Sequence, residues 1–129
     1  MGRAGEGGRV CSVGMLKGLY VATWDGYANF GGNLVPKAVM EGKHFNGDGT
    51  WVNEFGTVNV GGTIIVDVTG AVGTYTVAPD CTGTLSPAPG ISPTFNIYVG
   101  PGAQQVWTIQ SSPDSVAPGV SRGTAVRLP

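Results

Sequence analysis

Gly70-Ala71-Val72-Gly73-Thr74-Tyr75-Thr76-Val77-Ala78-Pro79-Asp80-Cys81-Thr82-Gly83-Thr84-Leu85 decides the fold. Gly73 to Val77 is a strand-like run, Pro79-Asp80 is a turn pair, and Thr82 to Leu85 leaves the turn as a second short strand. The same grammar extends in both directions. Strands are predicted over Leu16–Trp24, Ala38–Phe45, Thr50–Val60, Thr63–Thr69, Thr94–Val99, Gln104–Gln110 and Val120–Val126. Between them lie Asp25-Gly26, Gly31-Gly32-Asn33, Asn46-Gly47-Asp48-Gly49, Gly61-Gly62, the stiff Pro87–Pro93 segment and Gly100-Pro101-Gly102. Asn-Gly and Asp-Gly tolerate the positive φ of hairpin turns. No window carries an apolar helical stripe free of Gly and Pro. The expectation is an all-β, single antiparallel up-and-down β-barrel of about eight strands, because full closure removes vulnerable edges. A two-sheet β-sandwich is the alternative. Thr63–Thr69, the most apolar strand, is expected at the centre.

The composition agrees. Glycine supplies 23 of 129 residues and charged residues only 12%, against the usual ~7% and about 25%. An apolar fraction of 41% is too high for a disordered chain. One domain is expected over residues 11–129, behind a flexible Gly-rich leader at residues 1–10 with no signal-peptide pattern. A net charge of −1 supplies no basic field for nucleic acid, and no apolar run is long enough for a membrane helix. Cys11 and Cys81, separated by 70 residues, allow either one disulfide in an oxidising compartment or two buried free thiols.

Motifs that would name a reaction are missing. His44 is the lone histidine, and no Cys or His spacing suits zinc. No phosphate loop is present, so no cofactor or metal is expected. Gly119-Val120-Ser121-Arg122-Gly123 matches a nucleophile elbow literally, without the helix or parallel sheet that motif needs. Two titratable residues stand out as candidate catalytic groups. Asp67 interrupts the apolar run Thr63–Val68, where desolvation raises a carboxyl pKa and suits it to acid–base work. Alternation sets His44 on one face with Ala38 and Met40, while Glu41 and Lys43 take the other, so His44 is expected to point inward. Tyr20, Trp24, Met40 and Trp51 are the candidate walls of a binding site, since Tyr and Trp combine apolar bodies with orienting polar tips.

Several of these pieces resemble a known group. Cys11-Ser12, Leu16-Lys17-Gly18-Leu19-Tyr20, Phe45-Asn46-Gly47-Asp48-Gly49, Gly73-Thr74-Tyr75-Thr76-Val77, Asp80-Cys81-Thr82-Gly83-Thr84, Ile109-Gln110 and Gly119 to Gly123 occur in order. Together they are similar to a family of small uncharacterised bacterial proteins, usually exported. The resemblance implies a compact barrel like those of allene oxide cyclase and dirigent proteins, and an exported or periplasmic location. It carries no catalytic residues over.

Two functions follow as expectations. One is a barrel binding an apolar or aromatic small molecule, with a cofactor-independent cyclase, isomerase or hydratase activity inside. The other is an exported structural or self-associating protein, a homo-oligomer with no active site. Carbohydrate binding is a third option, and it requires solvent-facing Trp24, Trp51 or Trp107.

Overall fold

A computed structural model describes residues 9–30, 32–88, 93–112 and 119–129. Among them run nine strands: β1 (Lys17–Phe30), β2 (Asn33–Asn46), β3 (Thr50–Val60), β4 (Thr63–Asp67), β5 (Val72–Val77), β6 (Thr82–Pro87), β7 (Phe95–Val99), β8 (Gln105–Gln110) and β9 (Val120–Arg127). Single 3-10 turns, Val13–Met15 and Pro101–Ala103, precede β1 and β8. Antiparallel pairing runs β1-β2-β3-β5-β6-β7-β8-β9, and β9 returns to β1, closing an eight-stranded barrel. Buried and exposed positions alternate along the ring strands, as in β7, where Phe95, Ile97 and Val99 are buried and Asn96 and Tyr98 exposed.

The first hairpin is longer than the sequence predicts. β1 and β2 each have 14 residues and pair from Lys17↔Asn46 to Phe30↔Asn33. The predicted loop after Trp24 is therefore strand. Gly26 is there for space rather than for a turn: a Cβ would run into the backbone of Val120 and Ser121 on β9. The chain reverses further on, where Gly32 holds φ +89° and its N–H donates to Asn29 Oδ1 at 3.1 Å.

β4 also departs from expectation. Among the described residues it pairs with β3 alone, outside the ring, and Ile64 is exposed. The first residues of β3 pair with β5 while its second half pairs with β4. A register shift between Val58 and Asn59 accompanies the departure. Apolar content ranked this strand as central; β5 continues the ring from the start of β3, which leaves β4 at the edge.

One end of the barrel is plugged. Leu16, Tyr20, Phe45 and Tyr75 are buried there, with the Phe45 ring edge-on to Tyr20 at 5.1 Å and to Tyr75 at 5.0 Å. Tyr75 Oη donates to the Leu16 carbonyl at 2.8 Å, which ties the Val13–Met15 turn across the opening. Cys11 and Cys81 close the same end at disulfide distance, with Cα atoms 5.0 Å apart. Cys81 holds φ +75°, unusual for a non-glycine residue. Its N–H donates to Ala78 O at 2.9 Å, its carbonyl accepts from Val99 N at 2.9 Å, and Asp80 Oδ1 clamps Thr82 next to it. Residues 1–8 of the predicted leader lie outside the described residues. Arg9 stacks on Tyr98 at 5.6 Å and donates to the Val99 carbonyl at 3.0 Å.

A cross-link spanning 70 residues removes loop-closure entropy from the unfolded chain worth about 4 kcal/mol. The double variant Cys11→Ser/Cys81→Ser is expected to lose about that much unfolding free energy in urea titration. An unchanged midpoint would show that the pair is not bonded.

Candidate functional site

Register of the first hairpin determines what faces the interior. Tyr20 stands opposite Lys43, Ala22 opposite Glu41 and Trp24 opposite Val39. Tyr20, Ala22 and Trp24 are buried, so Lys43 and Glu41 share their side of the sheet. His44 and Met40, expected inside, face out instead. Met40 is 49% exposed, and His44 is partly exposed and lies 3.1 Å from Glu54 Oε2. The inward expectation for His44 fails because it judged faces by polarity, whereas the pairing with β1 sets them.

Asp67 is exposed, and its Oδ1 accepts from Thr69 Oγ1 at 2.6 Å and Thr69 N at 2.8 Å. Those bonds hold the carboxyl below its ordinary range, the reverse of the desolvation expected from the sequence. Asp48 with Thr50 and Asp80 with Thr82 repeat the arrangement. An Asp-x-Thr clamp thus fixes three turns. Asp67 is the exposed last residue of β4, fixing the turn that follows it.

Among the predicted wall residues, Trp24 and Trp51 do meet inside the barrel around Lys43. The Lys43 ammonium lies 3.1 Å from the Trp51 ring centroid and 5.9 Å from that of Trp24. It bonds Asn53 Oδ1 at 3.0 Å and pairs with Glu41 Oε1 at 3.1 Å. Only 3% of its side chain is accessible. Burial pushes its pKa from the ordinary 10.5 down to about 8, and Glu41 opposes the shift. An amine in that range exchanges protons near neutral pH and suits general acid–base work. Tyr20 belongs to the plug: its hydroxyl donates to Ala103 O at 2.5 Å and accepts from Arg127 Nε at 3.2 Å.

Sequence reasoning missed the polar residues on the inner rows beside Trp24. Trp24 and Thr108 both pair with Gly123 and so flank it on one inner row. Trp24 is 6% exposed and Thr108 7%, and neither Trp24 Nε1 nor Thr108 Oγ1 has a hydrogen-bond partner within the described chain. Two residues further along each strand, Ser121 Oγ donates to Gln110 Oε1 at 2.8 Å, and Lys37 Nζ reaches the same oxygen at 3.5 Å. Ser121 is thus a buried strand serine, away from outward-facing His44. The alternation of polar with apolar residues in β2 and β8 was the available signal, once assigned to the correct face. No family model, curated protein or solved structure matches the chain.

Burying Lys43 gives stability a pH dependence with a definite sign. Its folded pKa lies below the unfolded value, so the unfolded chain holds the extra proton between about pH 8 and 10.5. Folding stability therefore rises with pH through that window. The expected gain is about 2 kcal/mol between about pH 7 and 9.5. Tyr20 and Tyr75, whose pKa values burial raises, reverse the trend above about pH 10. Urea titrations should show this rise in the native chain and its absence in Lys43→Met; a parallel rise in both would assign it to other groups.

Proposed function

We propose that this protein is a small-molecule-binding β-barrel whose ligand contacts the inner layer formed by Trp24, Thr108, Lys43 and Glu41. The observation that carries the reading is the pair of buried, unpartnered polar atoms, Trp24 Nε1 and Thr108 Oγ1. Leaving a buried polar group unsatisfied costs about 1–3 kcal/mol, so such groups mark positions where another molecule's polar atoms belong. An indole N–H only donates and a threonine hydroxyl both donates and accepts. The matching ligand is an apolar or aromatic body carrying a carbonyl, hydroxyl or carboxylate oxygen. Trp24 and Trp51 supply its apolar walls.

The same layer supports cofactor-independent chemistry. Lys43, with its pKa near 8, is the candidate proton-transfer group, and Glu41 positions its ammonium. Isomerisation, cyclisation or hydration of a carbonyl compound needs one such group and a desolvated setting. These residues replace His44 and Asp67 in the catalytic role. The closed barrel agrees with the resemblance to allene oxide cyclase and dirigent-like barrels, and the Cys11/Cys81 pair agrees with export to an oxidising compartment.

A second reading, self-association, draws on β4, which has β3 as its partner on one side and exposes Ile64. An uncovered edge can pair with another chain. A mass of one chain by light scattering at high concentration counts against it.

The ligand reading is tested by screening aromatic ketones, phenols and carboxylates against 15N-labelled protein. Binders are expected to shift the Trp24 indole N–H signal, and Thr108→Val or Lys43→Met to weaken them about tenfold, the loss of one hydrogen bond. Hits confined to outward-facing residues, or no hits across the panel, would refute an interior site.

A further inference from the structure

The outer wall of the barrel carries a second feature, distinct from the interior layer in the side chains it presents to solvent. Where β3, β2, β1, β9 and β8 run side by side lies a groove of about 790 Å³, lined mainly by their outward side chains and bordered by Trp24 and Thr108. Register builds one row of it. Met40 pairs with Thr23, Thr23 with Thr124, and Thr124 with Trp107. Tyr98 on β7 pairs with Trp107 and extends the row beyond the groove. In the next outward row Asp25 stands beside Arg122.

The aromatic end is fixed in place. Trp107 is 45% exposed, and its ring lies 6.2 Å from that of Tyr98 at a tilt of 38°. The indole lies over Gly100: a Cβ there would come within 2.9 Å of the ring. Tyr98 is held from its other side by Arg9, whose Nη2 donates to the phenol oxygen at 2.8 Å. The two rings make a preorganised, solvent-facing platform.

The polar end is unspent. Asp25, Arg122, Thr23, Thr57 and Thr124 all line the groove, and among the described residues none of them makes a side-chain hydrogen bond or ion pair. Asp25 and Arg122 are cross-strand neighbours yet do not bond to each other. A carboxylate only accepts and a guanidinium only donates. A ligand serving both, while bringing no net charge to a balanced pair, must present groups that donate and accept at once. Hydroxyls do so. An acyl chain would desolvate both charges without compensation, an anion would meet Asp25, and a cation would meet Arg122.

We infer that this groove is a saccharide-binding site. The apolar C–H face of a pyranose stacks on Trp107, and its hydroxyls bridge Asp25, Arg122 and the threonine row. Stacking a ligand on an exposed indole requires no change in the fold. Trp24 and Trp51 are buried, so the solvent-facing tryptophan that carbohydrate binding requires is supplied by Trp107 alone. Trp24 and Thr108 of the inner layer also border the groove, but the saccharide is assigned to Trp107, Asp25, Arg122 and the threonine row, none of which belongs to the interior site.

The test uses the whole protein and a panel of neutral oligosaccharides: cello-, xylo-, malto-, laminari- and chitohexaose. Isothermal titration and tryptophan fluorescence are read together. At least one member is expected to bind and change the emission of Trp107. Trp107→Ala, a surface substitution, should abolish that binding with the urea midpoint kept. Asp25→Asn and Arg122→Gln should each weaken it about five- to tenfold, and Lys43→Met should leave it unchanged. Binding by no member of the panel overturns the inference. So does binding that survives Trp107→Ala, or a site that takes free aromatic amino acids and none of the sugars.

Discussion

Pairing of β1 with β2 is the constraint on which the interior depends. The hairpin is in register along all 14 residues of each strand, and a shift of one residue would turn every β2 side chain to the opposite face. With Tyr20 and Trp24 committed to the core, the register leaves no choice for Lys43 and Glu41. Two charged residues enter the barrel because two aromatic ones on the neighbouring strand must. Their burial is made tolerable by their mutual pairing, by Asn53 and by the face of Trp51.

The barrel interior is thereby divided. Toward Cys11 and Cys81 it is close-packed, with edge-on rings and tyrosine hydroxyls bonded to backbone carbonyls. Beyond Trp24 it is polar, with Thr108, Ser121 and Gln110 on adjoining strands. Apolar packing alone would have served the fold at least as well, since replacing a buried ion pair by well-packed apolar residues is often neutral or favourable. Polar residues retained at such a cost are expected where a site is built, and a stable scaffold with an anchored opposite end can carry them.

Much of the architecture could be read from the sequence, and for a local reason. Turn chemistry is short-range: Asn46 to Gly49, Gly61-Gly62 and Pro79-Asp80 lie where the chain reverses, and the strands between them follow. The errors arose where tertiary contact overrides local preference. Gly26 looked like a turn and is a strand residue crowded by β9. The apolar Thr63–Thr69 segment looked central and is an edge, because edge or centre depends on which strands come later. His44 and Lys43 were assigned to the wrong faces, since one strand's alternation gives two faces but does not say which is inside. Trp24 and Trp51 were legible as site walls because their size commits them to burial. Thr108 was not, because its importance lies in lacking a partner, and partners are a property of the folded chain.

Lys43 carries the central claim, and its own titration tests it most directly. Following the lysine side-chain signals of the folded protein by NMR across pH, with reductive methylation as a measure of access, separates the lysines. The Lys43 amine is expected to titrate near about 8 and to resist methylation while exposed Lys17 reacts. A Lys43 that titrates near about 10.5 and is methylated as fast as Lys17 would contradict the inward register and the interior site built on it.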